Sequence, residues 1–273
     1  MIYEKAHAKI NLALEVVKKR NDGYHDLKMI MIPLELHDSL SFKIDEKIIL
    51  TSSVDIKDNQ VLKTALLMKE KYKVRNGAHI HLDKHIPIGA GLAGGSADIA
   101  ATIRGLNRLW SLNLDQKELE NVALSLGSDT LFCLYQRPAY VFGRGEHIEF
   151  LDNPKADSIF LYYPNFISYT PYVFKHHMIK HKTSNFDRLL NMYKQKNWAG
   201  FYLNTFNDLL VTALTCYKEL KKAHLDMLEI DENSMMSGSG STFFIINSSQ
   251  KDEDILAKAN KNNMKLIKTS LKV

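Results

Sequence analysis

Residues 8–16, AKINLALEV, alternate in polarity: Ala8, Ile10, Leu12, Leu14 and Val16 share one side, while Lys9, Asn11 and Glu15 share the other. Successive side chains of an extended chain point to opposite faces, so this period predicts a half-buried strand. Asp22-Gly23 marks a turn, and 28–36, 39–44 and 47–53 read as further strands, which makes the start of the chain antiparallel. Over 58–72 the apolar positions Val61, Ala65, Leu66 and Met68 form a helical stripe capped by Asp58 or Asn59, and a short strand follows at 78–84. Residues 115–126 predict a helix opened by Asp115 with Glu118 and ended by Gly127. Strands at 139–143 and 146–151 flank the turn Gly143-Arg144-Gly145, and 159–165 reads as another. Helical patterns occupy 171–182, 184–198, 201–207 and 208–225; a helix at 251–261 and a strand at 264–271 close the chain.

Two segments break this texture. Residues 87–96, PIGAGLAGGS, hold four of the thirteen glycines and lead directly into the helical spacing of Ile99, Ala100, Ile103, Leu106 and Trp110. Residues 237–242, SGSGST, run straight into the apolar strand pattern FFII. A glycine-rich turn feeding a helix N-terminus gathers backbone N–H groups around an anion, because no side chain blocks the approach of phosphate oxygens. Three familiar phosphate motifs do not fit. Gly89-x-Gly91-x-x-Gly94 matches the dinucleotide spacing, but the segment about 20 residues on is helical where a strand with a ribose-binding acid is required. A P-loop needs Lys-Ser/Thr after its last glycine, and Gly95 is followed by Ser96-Ala97. A protein-kinase loop leads into a strand, not a helix.

Composition narrows the class. Of 273 residues, 45% are hydrophobic and 25% charged, enough for a core and against wholesale disorder. Cys133 and Cys216 are too few for a disulfide scaffold or a four-cysteine zinc site. The formal charge of +5 comes from dispersed lysines, so no nucleic-acid partner is expected. There is no apolar run of membrane-spanning length, and Glu4, Lys5, His7 and Lys9 stand where a leader requires apolar residues. A soluble cytoplasmic protein, monomer or homodimer, is the expectation. Neither His79, His81 and His85 nor His176, His177 and His181 comes with the Cys or acidic partners of a zinc site, so no metal site is predicted.

The glycine loop PIGAGLAGGSADIAA at 87–101 resembles the signature of the GHMP kinase superfamily of galactokinase, homoserine kinase, mevalonate kinase and phosphomevalonate kinase. The early strand AKINLAL and the late SGSGST resemble that family's other two motifs, in the same order. Asp22-Gly23-Tyr24-His25, Gly127-Ser128-Asp129 and Thr170-Pro171-x-Val173-Phe174 are similar to its branch that acts on a cytidine diphosphate-linked alcohol.

The resemblance implies an α+β, two-lobed fold. A mixed N-terminal sheet with helices would form a nucleotide-binding domain at 1–158, and an α/β sandwich lobe would occupy 159–273, with the active site in the cleft between them. It also implies transfer of the γ-phosphoryl of ATP, with Mg²⁺, to an alcohol. Lys9 and Asp129 would be the catalytic pair. Pro87, Ile88, Gly89, Ala90, Gly91, Leu92, Ala93, Gly94, Gly95, Ser96 and Ala97 would hold ATP, Ser96 meeting a phosphate oxygen or Mg²⁺, and Asn59 would contact adenine. Asn11, Tyr24, His25, Thr170, Phe174, Gly238, Ser239 and Gly240 would bind the alcohol substrate. Tyr24 would stack on the cytosine, His25 would hydrogen-bond it, and Phe174 would close its other side.

Two departures carry expectations of their own. Thr130-Leu131 replaces the family's usual Val-Pro, which frees the backbone beside Asp129. Ala93 stands where glycine is usual and Ala97 where a second serine is common; an alanine fits at 93 if its φ is negative. Another small-alcohol kinase of the superfamily, or a regulator that kept the fold, are the alternatives.

Overall fold

The computed structural model describes residues 1–179, 185–247 and 252–272. The predicted helices at 171–182, 184–198 and 251–261 each run partly outside these residues. The chain forms two compact units, each discontinuous in sequence: Met1–Ala8, Leu36–Ile88 and Ala93–Gln136 make the first, and Lys9–Glu35, Gly89–Leu92 and Arg137–Val273 the second. Strands β1 (Ile2–Lys19) and β2 (His25–Asp45) run through both.

In the first unit, β4 (Gly77–Asp83) lies between β3 (Ile48–Ser52) and the C-terminal half of β2. It pairs parallel with β3, Ile80 against Leu50, and antiparallel with β2, Ile80 against Phe42, so the sheet is mixed. Helices α1 (Gln60–Lys71), α2 (Gly94–Leu109), α3 (Gln116–Leu126) and α4 (Thr130–Tyr135) complete this unit, and α2 packs against each of the others. The predicted cap is Asn59, whose side-chain oxygen accepts the Val61 N–H at 2.9 Å. Phe42, Ile80, Val61, Ala65, Met68, Ile103 and Leu106 are buried in its interior. Gly105 lets α2 lie on the sheet: a Cβ there would stand 2.4 Å from the Phe42 ring.

In the second unit, the N-terminal half of β2 pairs with β5 (Ala139–Gly143), which pairs in turn with β6 (His147–Phe150). A separate antiparallel sheet has the order β10-β7-β9-β8: Ile267–Thr269, Ser158–Tyr162, Phe243–Asn247 and Met235–Met236. Its remaining helices are α5 (Thr170–His176), α6 (Phe186–Lys194), α7 (Trp198–Leu203), α8 (Leu209–Cys216), α9 (Lys218–Ile230) and α10 (Asp252–Lys261).

Several expectations are corrected. The segments 28–36 and 39–44 are one strand, 25–45. The stretch 208–225 is two helices, because Tyr217 is extended (φ −134°, ψ 113°); its ring packs edge-on against Phe166 and its hydroxyl accepts the Tyr169 N–H. Residues 201–207 are helical only to Leu203. The strand at 8–16 reaches from Ile2 to Lys19 and is buried on both faces over Ala6–Leu14, not half-buried.

Candidate active site

The burial of β1 on its polar face has a local cause. Lys9 is 4% exposed and Asn11 1%, and the Lys9 ammonium donates to Asn11 Oδ1 at 2.7 Å. Each polar group partners the other, which offsets part of the cost of taking them from water. Asn11 Nδ2 in turn points to Met29 Sδ at 3.4 Å. The Lys9 backbone N–H donates to Leu92 O at 3.1 Å, which lays the glycine loop along β1.

The third motif closes onto the same place. A Cβ on Gly238 would lie 3.5 Å from Lys9 Nζ, 3.6 Å from Asn11 Oδ1 and 3.4 Å from Gly91 O. The Thr242 N–H donates to Ala90 O at 3.0 Å and Ser237 Oγ to Gly91 O at 2.9 Å. Gly89, Gly91, Gly238 and Gly240 all have positive φ, the region open to glycine. Three segments far apart in sequence, 9–11, 89–92 and 237–242, are therefore hydrogen-bonded or in contact within the second unit.

Sequence reasoning missed two residues that hold this arrangement. Asn207 donates to Met236 O at 2.8 Å and Gly238 O at 2.7 Å while its oxygen accepts the Leu209 N–H. It was hidden in a segment read as helical, although an Asn-Asp pair ahead of LLVTAL is a helix-start signal. Ser168 donates to Ser239 O at 2.6 Å and its N–H to Gly89 O at 3.3 Å. Thr170 and Ser239, both predicted, share a hydrogen bond between hydroxyls 2.7 Å apart.

The first unit holds the two ends of the glycine loop. Helix α2 starts at Gly94, two residues before Ser96, so Ser96 sits inside the first turn and does not cap it. The cap position is Ala93, whose φ is +55°. The condition of a negative φ is thus not met, and the left-handed conformation costs an alanine roughly 1–2 kcal/mol. Glycine's extra freedom in the unfolded chain takes back roughly 0.4–1 kcal/mol. An Ala93→Gly variant is thus expected to be more stable by about 0.5–1 kcal/mol, read from the midpoint of urea unfolding; a lower midpoint would contradict it.

Asp129 precedes α4, a helix of six residues that the sequence did not announce. Its carboxylate does not cap that helix. The turn is regular without the missing proline: the Thr130 N–H donates to Gly127 O at 3.2 Å and the Cys133 N–H to Asp129 O at 3.0 Å. A Cβ on Gly127 would lie 3.9 Å from Ser96 Oγ, so the approach to Asp129 passes beside the first turn of α2. Asn59 spends its side-chain oxygen on capping α1.

Tyr24 is 51% exposed, with the Arg144 guanidinium 4.6 Å from its ring centre. It is no core aromatic. His25 is buried and stacks on Phe174, ring centres 5.0 Å apart and planes 30° apart. Burial lowers the His25 pKa, helped by the positive charge of Lys19 and by His177. The neutral imidazole keeps one donor and one acceptor.

A trio of charges in the first unit was also not foreseen. Lys84 donates to Asp38 at 2.5 Å and to Asp98 at 2.8 Å, and all three side chains are buried. Burial pushes Asp98 up to about 7, opposed by Lys84 and assisted by Asp38. A cavity of about 1000 Å³ in the second unit is lined by Glu15, Lys28, Tyr172, Arg188 and Cys216 among others, and by none of the predicted site residues. His79 and His81 lie beside Thr51 Oγ1, and His177 bonds the Thr212 hydroxyl. Among the described residues no helix is long and apolar enough to cross a membrane.

Residues 59–137 match the family model of the GHMP kinases N terminal domain. A Staphylococcus haemolyticus (strain JCSC1435) protein, provisionally named a 4-diphosphocytidyl-2-C-methyl-D-erythritol kinase, is 39% identical over 262 residues, covering 89% of each chain. A protein of the same name from Staphylococcus aureus (strain bovine RF122 / ET3-1) is 37% identical over 263 residues, again covering 89% of each. The crystal structure of a 4-(cytidine 5'-diphospho)-2C-methyl-D-erythritol kinase matches with a TM-score of 0.81 and 28% identity over the whole of both chains. Homoserine kinase from Cytophaga hutchinsonii, at TM-score 0.70 and 18% identity over 98% and 94% of the two chains, shares the fold. The chain belongs to the GHMP kinases, a family of small-molecule kinases, and within them to the family of 4-diphosphocytidyl-2-C-methyl-D-erythritol kinases, as its motifs implied.

Proposed function

We propose that this chain transfers the γ-phosphoryl of Mg·ATP to an alcohol hydroxyl of 4-diphosphocytidyl-2-C-methyl-D-erythritol, a step of the non-mevalonate isoprenoid precursor pathway. The observation that carries the reading is the meeting of Lys9 and Asn11 with Gly91 and Gly238, which brings a buried cation up to two glycine turns, the kind of backbone that gathers N–H groups around an anion. In this reading Asp129 takes the proton of the attacking hydroxyl as its oxygen bonds to the γ-phosphorus. The bond from that phosphorus to the β,γ-bridging oxygen breaks, and ADP leaves. Lys9 offsets charge on the transferring group, and Asn11 fixes the ammonium. Residues 87–97 and the N-terminus of α2 hold the phosphates. Tyr24, His25 and Phe174 take the cytosine, and Thr170 with Gly238, Ser239 and Gly240 binds the rest of the acceptor. The division into a nucleotide-binding domain at 1–158 and a second domain at 159–273, the adenine contact of Asn59 and a cytoplasmic location belong to the same proposal.

The test is purified protein with Mg·ATP and a panel of alcohols, following ADP release. Turnover is expected only with the cytidine diphosphate substrate. Turnover of bare mevalonate would favour another alcohol kinase, and binding of ATP without turnover a regulator. Tyr24→Ala separates the base site from the phosphate site: loss of stacking worth roughly 1–3 kcal/mol raises the KM of the alcohol roughly 5- to 150-fold and leaves that of ATP unchanged. An equal rise in both would mean that Tyr24 does not face the base.

A further inference from the structure

One buried ammonium is bonded to both sides of the glycine loop. Lys84 follows β4 and opens the segment 84–88 that leads into the loop; Asp98 lies early in α2, which leads out of it. Lys84 Nζ donates to Asp98 Oδ2 at 2.8 Å and to Asp38 Oδ2 at 2.5 Å. The other oxygen of Asp38 accepts two successive backbone N–H groups, His85 at 2.6 Å and Ile86 at 2.8 Å, which sets the chain direction immediately before Pro87. Gly94, the first residue of α2, rests on the same place: a Cβ there would stand 3.3 Å from Lys84 Nζ and 3.0 Å from the Ile86 side chain.

Three charged side chains withdrawn from water are a poor way to stabilise a fold, since an apolar trio of similar volume does as well or better. What they supply is direction. An ammonium shared by two carboxylates fixes angles as well as distances, and an apolar contact does not. On the proposal that residues 87–97 hold ATP, we infer that Asp38, Lys84 and Asp98 act as a positioning clamp, setting the separation and angle of the loop's two ends and thereby its grip on the nucleotide phosphates. None of the three is a catalytic residue. Asp38 aims the incoming strand, Asp98 aims the helix whose N-terminus meets the phosphates, and Lys84 couples the two.

The experiment measures Mg·ATP binding to the full chain by calorimetry, together with steady-state kinetics in which ATP and the alcohol are varied separately. Lys84→Met and Asp98→Ala are each expected to weaken Mg·ATP binding at least about tenfold, the scale of a sub-ångström displacement of a positioning element. The KM of the alcohol should stay within about twofold and kcat within about fivefold. Asp98→Asn keeps an oxygen for the ammonium and should recover affinity to within about threefold of the wild type, a rescue that a requirement for charge would not give. If Lys84→Met does not fold, the two Asp98 variants decide. Unaltered Mg·ATP affinity in Asp98→Ala, or a parallel rise in the KM of the alcohol, would overturn the clamp while leaving the kinase reading intact. A wild-type chain that binds no Mg·ATP would overturn the nucleotide reading and the clamp with it.

Discussion

An Asp129→Asn variant releases ADP at least about 100-fold more slowly than the wild type under saturating substrates, and binds Mg·ATP with unchanged affinity. The size follows from the loss of a positioned proton acceptor, which contributes on the order of 100- to 10,000-fold to such a step. An amide of the same shape cannot take the hydroxyl proton. The variant is informative because the two backbone bonds that shape the turn do not run through the carboxylate. The backbone bonds of Thr130 to Gly127 and of Cys133 to Asp129 O survive the change, and the side chain does not cap α4. A loss of rate can therefore be assigned to chemistry and not to a collapsed turn, provided far-ultraviolet dichroism and the melting curve match the wild type. A decrease of less than about tenfold would mean that Asp129 is not the base. A parallel loss of ATP affinity would mean that it acts on nucleotide binding instead.

What the sequence makes legible is whatever local composition determines. The glycine-serine stretches at 87–96 and 237–242 stand out because few other reasons exist to concentrate such residues, and both lie where backbone approaches backbone. The alternation over 8–16 gives a strand because pleating has a period of two. That period says which side chains share a face but not what covers the face, and so the burial of Lys9 and Asn11 could not be read from it. The clamp is invisible for a similar reason. Asp38 lies 46 residues before Lys84 and Asp98 14 after it, and each alone resembles an ordinary surface charge. Ala93 shows a third limit. A residue's identity shifts its conformational preference by about a kilocalorie, and the surrounding loop, fixed at both ends, sets the backbone regardless. Tyr217 does the same to the predicted long helix, where an edge-on contact with Phe166 and a bond from the Tyr169 N–H outweigh helical pattern.

The meeting of the three motifs leaves Gly91 no room for a side chain. Gly91→Ala is expected to lose Mg·ATP binding by at least about 100-fold and to destabilise the chain by about 2–4 kcal/mol, in the range of substitutions that force backbone apart. Two effects add. Its φ of +75° disfavours any Cβ, by roughly 1–2 kcal/mol. The new methyl would also stand 2.3 Å from Ser237 O and 2.7 Å from Gly240 O, and these are backbone atoms that cannot rotate away. Relief requires the 89–92 segment to part from 237–242, which breaks the bonds from Ser237 Oγ to Gly91 O and from the Thr242 N–H to Ala90 O. Gly95→Ala is the matching control for stability, because a Cβ there meets nothing within 4 Å and its φ is not positive. Urea unfolding of the two variants side by side gives the comparison. If Gly91→Ala unfolds at the same urea concentration as Gly95→Ala, the two glycine motifs do not press together, and the contact that places Gly238 over the Lys9 ammonium loses its support.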